Sequence, residues 1–218
     1  MSDGYFCERA LVDGSVQANV RVAVDAGRFT TVTEGAAPER SDRHLRGVTL
    51  PGLANAHSHA FHRALRSRTQ RDRGSFWTWR DVMYRATERL DPDRYHALAR
   101  AVFAEMTLAG ISAVGEFHYV HHQPDGMPYA DPNAMGEALL SAAADAGIRL
   151  MLLDTLYLHG GLDGSGYVEP VGAQLRFTDR SAAAWAERVA QCRSDGDRRR
   201  VGAAIHSVRA VDPESVSY

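Results

Sequence analysis

From Val48 onward the chain alternates short apolar runs with longer stretches of helical periodicity, and this alternation limits the fold more than any other feature of the sequence. The runs Val48–Ala56, Ile111–His118, Arg149–Tyr157 and Arg200–Ile205 read as strands. Helices are predicted over 60–68, 76–90, 95–109, 131–146 and 180–193, and Asp212-Pro213-Glu214 reads as the start of another. Strands separated by helices of this length pair in parallel through crossovers. Two architectures satisfy that pattern, a doubly wound open sheet and a (β/α)₈ barrel. No Gly-x-Gly-x-x-Gly follows the first strand, which counts against a dinucleotide-binding sheet. Polar residues gather where strands end: His57 and His59, His118 and Tyr119, Tyr157 and His159, His206 and Arg209. Barrel enzymes assemble their active sites at those strand ends, and four units are half of eight.

The segment before this region has a different texture. Residues 5–33 hold short apolar runs punctuated by Asp13-Gly14 and Ala26-Gly27, the pattern of strands joined by tight turns. Residues 35–46 are polar and read as a linker. The expected organisation is a β-rich segment over 1–47 and the first half of a barrel over 48–218.

Composition excludes several chemistries. All 25 basic residues are arginine, so a lysine nucleophile, a Schiff base, a carbamylated-lysine metal bridge and a P-loop lysine are ruled out within these residues. The formal net charge of −2 gives no electrostatic case for nucleic acid or an anionic membrane, and neither is an expected partner. No apolar run approaches a membrane span, and Met1-Ser2-Asp3-Gly4-Tyr5 does not open a signal peptide. Cys7 and Cys192 lack zinc or redox spacing. The expected location is the cytoplasm, with both thiols reduced.

His57-Ser58-His59 carries the sharpest chemistry. Residues i and i+2 of an extended segment point the same way, so two imidazoles can converge on one cation. Arg80 lies amid Phe76, Trp77 and Trp79, where a guanidinium wants an anionic partner. Glu116-Phe117-His118-Tyr119-Val120-His121-His122 puts three histidines and a tyrosine at a strand end. They either hold a metal, or shape a loop while Tyr119 donates its hydroxyl to a ligand. His206-Ser207-Val208-Arg209 adds another imidazole and another guanidinium after the fourth strand. The residues alone point to metal-assisted hydrolysis of a small acidic molecule.

Leu50-Pro51-Gly52 leading into His57-Ser58-His59-Ala60-Phe61 resembles the opening of the amidohydrolase superfamily barrel. The segments Phe76–Arg80, Glu116–His122, Tyr129-Ala130-Asp131-Pro132 and His206–Val211 are similar to one branch of it, the deiminases acting on N-formimino-L-glutamate in histidine degradation. The resemblance covers nearly the whole chain. It implies a β-sandwich-like domain beside a distorted (β/α)₈ barrel with one zinc per complete site. The implied reaction gives N-formyl-L-glutamate and ammonia. His57 and His59 would be zinc ligands, and Arg80, Tyr119, His206 and Arg209 would bind the substrate, largely through its carboxylates. His62 stands where the family commonly has glutamine, and an imidazole can donate a hydrogen bond there too. The remaining metal ligands and the catalytic residues would come from the second half of such a barrel, so no catalytic residue is assigned here. The expectation is therefore a fragment or truncated reading frame, inactive and poorly soluble alone, with a homodimer open to the full-length enzyme. Two other readings stay open: another amidohydrolase acting on a purine or triazine ring, and a non-catalytic remnant.

Overall fold

The structure is a computed structural model and describes residues 3–69 and 74–217. The chain divides into two compact units, Met1–Gly52 and Leu53–Tyr218.

The first unit is a four-stranded sheet in the order β3-β2-β1-β4, from β1 (Asp3–Val12), β2 (Ser15–Asp25), β3 (Arg28–Thr33) and β4 (Arg43–Thr49). Asp13-Gly14 and Ala26-Gly27 take positive φ at the two hairpin turns, as tight turns between twisted strands require. Cys7, Ala10 and Val20 form its small core, with Val12, Val22 and Leu45 packed against them. β4 begins within the stretch read as a linker. It pairs parallel with β1 across more than thirty residues, and its half-exposed, polar sequence carries no local strand signal. The predicted strand Val48–Ala56 is therefore split. Val48 and Thr49 end β4, while the next strand starts at Leu53.

In the second unit β5 (Leu53–Ser58), β6 (Ile111–His118), β7 (Arg149–Leu156) and β10 (Arg199–Ile205) form a parallel sheet in the order β10-β7-β6-β5. Each strand lies beside its predecessor in the sheet, with no reversal of order. A doubly wound sheet needs a reversal, so this is the first part of a singly wound barrel. The helices are α1 (Phe76–Thr87), α2 (Pro92–Leu108), α3 (Ala134–Ala146), α4 (Ala182–Val189) and α5 (Pro213–Val216). A short hairpin, β8 (Gly161–Asp163) and β9 (Gly166–Val168), occupies the glycine-rich loop. Ser75 caps α1, and Asp91 caps α2 with Pro92 at its first turn. The stretch 60–68, read as an α-helix, is a 3₁₀ turn over Ala60–Leu65. Its first amide, Ala60 N–H, is drawn to the Glu116 carboxylate.

Register divides the side chains of the sheet between two faces. Val114, Leu150 and Leu152 point toward the helices, where Tyr95, Val102, Phe103, Met135 and Leu139 complete the main core. Ser58 pairs with Glu116, Glu116 with Leu152, and His118 with Asp154, so all of these share the helix-facing side. His57 and His59 flank Ser58 in extended backbone and point to the opposite face, the barrel interior. Among the described residues no helix is long and apolar enough to cross a membrane.

Candidate functional site

On the interior face, at the C-terminal strand ends, a chain of rings leads away from β5. The His57 and His59 rings lie 4.9 Å apart between centroids, and His59 lies 5.8 Å from Tyr119. Tyr119 lies 5.0 Å from His206, and His206 4.7 Å from Tyr157. His59 Nδ1 donates to the Phe117 carbonyl at 3.2 Å, which leaves its Nε2 lone pair free. Burial holds the His59 pKa below its usual value, and His57 adds to the effect, so His59 is a neutral imidazole fit to bind a cation. Burial also pushes His206 down to about 4, helped by His59 and Arg209.

A cleft of about 310 Å³ opens beside these rings. Arg80, Tyr119, His206 and Arg209 all line it, with Trp77, Tyr84 and Phe177 among the surrounding rings. The Arg80 guanidinium lies over Trp77, 4.5 Å from the ring centre, and its buried Nε makes no hydrogen bond. Arg209 lies over Phe76 at 5.8 Å. Two cations, one with an unanswered buried donor, suit an anion. The β8–β9 hairpin holds the loop that carries Arg209. Tyr167 donates to the Val208 carbonyl at 3.0 Å and stacks on His159, which pairs with Asp212 at 2.8 Å. Gln174 donates to Tyr157 and to the Gly160 carbonyl, fixing the other rim.

His57 and His59 do not line this cleft but stand next to its Tyr119 wall. His62 lines a neighbouring recess with Trp79 and Arg66, its ring 4.5 Å from that of His59. Its Nε2 lies 3.1 Å from the Tyr119 hydroxyl and its ring 5.3 Å from that of Trp79, so it backs two residues of the cleft wall. Burial, with His59 and His57, pushes His62 down to about 3. A larger recess, about 490 Å³ and lined by Glu137, Arg149, Arg198 and Arg199, lies at the N-terminal ends of β7 and β10, away from all of these groups.

The structure also brings together residues whose roles the sequence did not disclose. His118, His121 and Asp154 form a buried cluster with ligand atoms within 4.8 Å of one another. It lies on the helix-facing side, across the sheet from His57 and His59. Arg188 grips Asp154 with two hydrogen bonds of 2.9 and 2.8 Å and also bonds Asp179 and Asn133. Trp185 donates to Asp154, and His122 pairs with Asp179. Burial alone would raise Asp154, but His121 and Arg188 outweigh it and hold the carboxyl at about 2. The guanidinium bridges two carboxylates, Asp154 and Asp179, and a second cation at Asp154 would have to compete with it. His121 Nε2 is spent on the Thr155 carbonyl, at 3.0 Å, while the buried Nδ1 atoms of His118 and His121 make no hydrogen bond. This cluster is a buried ion-pair network joining α4 to the sheet. Its sequence signals are the histidine run His118–His122 and a charge inside an apolar strand: Asp154 in Arg149–Leu156, as also Glu116 in Ile111–His118.

The network makes stability depend on pH. Burial keeps His118 and His121 neutral, with His121 pushed down to about 4. Between about pH 6.5 and that value the unfolded chain binds protons that the folded chain refuses, so stability falls on acidification. At about 1.4 kcal/mol per pH unit, His121 accounts for at most about 3 kcal/mol. Glu116, raised to about 7 by burial against the opposing effects of Ser58 and Ala60, works in the other sense over that window. The histidines outnumber it. Urea unfolding midpoints are expected to drop from about pH 7 to about pH 5, and a flat or rising midpoint would contradict the assignment.

Comparison with known proteins agrees with this architecture. The sequence profile of the Amidohydrolase family matches residues 48–216. Formimidoylglutamate deiminase of Pseudomonas aeruginosa is 39% identical, over 97% of this chain and 47% of that protein. Among solved structures, an amidohydrolase from Brucella melitensis superposes with a TM-score of 0.84 at 30% identity, over 99% of this chain and 48% of that one. Atrazine chlorohydrolase from Arthrobacter aurescens TC1, complexed with zinc, superposes with a TM-score of 0.73 at 22% identity, over 97% and 48%. The chain thus spans about half the length of the relatives it matches. The profile match, the singly wound parallel sheet and the histidine pair at its first strand end together establish that the chain belongs to the amidohydrolase family.

Proposed function

We propose that these residues form part of a zinc-dependent deiminase that hydrolyses N-formimino-L-glutamate to N-formyl-L-glutamate and ammonia, a step of histidine degradation. The observation that carries the reading is one cleft with two arginines set beside a histidine pair. The substrate has two carboxylates and a linear amidine. Arg80 and Arg209 answer the carboxylates, and the 39% identical deiminase suggests the amidine. Water adds across the C=N carbon and the terminal nitrogen leaves as ammonia, so the reaction balances with no redox partner.

His57 and His59 would hold the zinc, with the other ligands supplied from outside these 218 residues. Zinc, when bound, supplies Lewis-acid activation of water at neutral pH. The protein's own groups bind and orient. Arg80, its donor buried among rings, would take one carboxylate in a site where water competes poorly. Arg209, on the loop after β10, would take the other. The buried Tyr119 keeps its proton, because burial raises its pKa, and so acts as a hydrogen-bond donor. His206, neutral at pH 7, can donate through one nitrogen and accept through the other.

The aromatic walls also favour a second reading, hydrolysis on a flat heterocycle. A panel of N-formimino-L-glutamate, N-formiminoglycine and a triazine, assayed with the enzyme that carries these residues, separates the two. Ammonia release from the dicarboxylate alone is expected, and turnover of the triazine alone would sink the proposal. Arg80→Met and Arg209→Met should each raise KM for the dicarboxylate about 10- to 100-fold, because a charge-assisted hydrogen bond contributes about 1.5–3 kcal/mol. A smaller effect on inhibition by N-formiminoglycine, which has one carboxylate, would show which arginine serves which group.

A further inference from the structure

We infer that Glu116 is a positioning residue for the His57–His59 pair, clamping the turn between β5 and the following 3₁₀ helix so that His59 presents Nε2 to a metal. This rests on the proposed metal role of the pair. Glu116 is 0% exposed and lies opposite Ser58 in the β5–β6 register. One carboxylate oxygen accepts from Ala60 N–H at 2.5 Å and the other makes no hydrogen bond, while the Ser58 side chain faces the same carboxylate and favours its ionised form. Ser58 and Ala60 flank His59 in sequence, so Glu116 holds the backbone amide on one side of that histidine and faces the Ser58 side chain on the other. The next residue of β6, Phe117, completes the grip by accepting from His59 Nδ1 at 3.2 Å. Strand β6 thus fixes the His59 backbone through Glu116 and its tautomer through Phe117. The clamp works from the helix-facing side of the sheet, while the histidines face the interior.

The geometry explains why a carboxylate is retained in a buried position where an apolar side chain would cost less. At the end of β5 the chain leaves the sheet, and Ala60 N–H, the first amide of the 3₁₀ helix, has no strand partner. Without an acceptor the amide would turn to find one and carry His59 with it. The His59 ring would then lose its line to Phe117, and both tautomers would become available. Groups behind metal ligands commonly hold their affinity to within a factor of about 10–100.

The test combines two readouts on the enzyme that carries these residues and the rest of its metal site. The first is the His59 tautomer in metal-free protein, from long-range ¹⁵N–¹H correlations. The second is zinc affinity by competition with a chelator. The unaltered protein is expected to show the Nδ1–H tautomer. Glu116→Ala should give a tautomer mixture and about 10- to 100-fold weaker zinc binding. Glu116→Gln keeps a carbonyl for Ala60 N–H and an amide for Ser58, and should stay within about threefold. Ser58→Ala removes one of the two contacts and should weaken zinc about 3- to 10-fold, which keeps the test open if Glu116→Ala does not fold. A folded Glu116→Ala, or Ser58→Ala in its place, with unchanged tautomer and affinity overturns the inference alone. No zinc uptake by the unaltered protein overturns the metal role of the pair and the inference with it.

Discussion

Replacing His59 with alanine is expected to strip zinc from the enzyme that carries these residues and to lower deiminase activity on the order of 10³-fold or more. Lewis-acid stabilisation is worth several kcal/mol, and each 1.36 kcal/mol is tenfold in rate. His59 should matter more than His57. It is partly buried, its tautomer is fixed by Phe117, and its pKa is depressed by burial, so its lone pair is available at neutral pH. His57 is exposed, with its backbone amide held by Asn55 at 3.2 Å. His62→Gln is the contrast. His62 backs Trp79 and Tyr119 of the cleft wall, and its contact with the Tyr119 hydroxyl is one that an amide also makes, so that variant should lose less than about tenfold and keep its zinc. Zinc by elemental analysis and ammonia release by coupled assay read both effects. Full zinc content in His59→Ala would remove the histidine pair from the metal site.

The pair could be read from the sequence because its geometry is local: two residues apart in extended chain, on one face, at the end of an apolar run. The parallel arrangement of β5, β6, β7 and β10 was legible for a related reason, since helix-length connections leave few ways to pair the strands. Choosing between barrel and open sheet required the strand order itself, which periodicity does not encode. β4 was illegible because its partner β1 lies far back in the chain and its residues are half-exposed. The roles of Arg80 and Arg209 were legible as chemistry, an arginine among rings, but their meeting in one cleft depends on α1 and the loop after β10 folding together. Arg188 was missed altogether. An arginine in a short helix looks like a solvated charge, and its acceptors lie 34, 9 and 55 residues away. Asp154, ionisable within an apolar strand, is the visible half of that pair, since a buried carboxylate needs a cation or hydrogen-bond donors.

Arg188→Met is expected to cost about 3–5 kcal/mol of stability, because it leaves Asp154 and Asp179 as buried carboxylates with no countercharge. Methionine fills similar space, so the loss reflects charge more than packing. The same logic predicts partial rescue. Adding Asp154→Asn and Asp179→Asn to Arg188→Met removes the uncompensated charges and should recover part of the loss, since a buried ion pair is often replaceable by neutral groups. Denaturant unfolding of the single and triple variants checks both steps, and equal stability of the two would show that packing, not charge, dominates. The experiment also decides between the two histidine clusters. If His118, His121 and Asp154 bound the metal, Arg188 would compete with it for Asp154, and its removal should strengthen zinc binding. In the arrangement described here Arg188 is itself the cation of that site, with both Asp154 oxygens in its grip and His121 donating to Thr155. Zinc affinity should then stay unchanged in a folded Arg188→Met, and His121→Ala should lower stability while leaving zinc in place. Loss of zinc from His121→Ala would move the metal to the helix-facing side of the sheet.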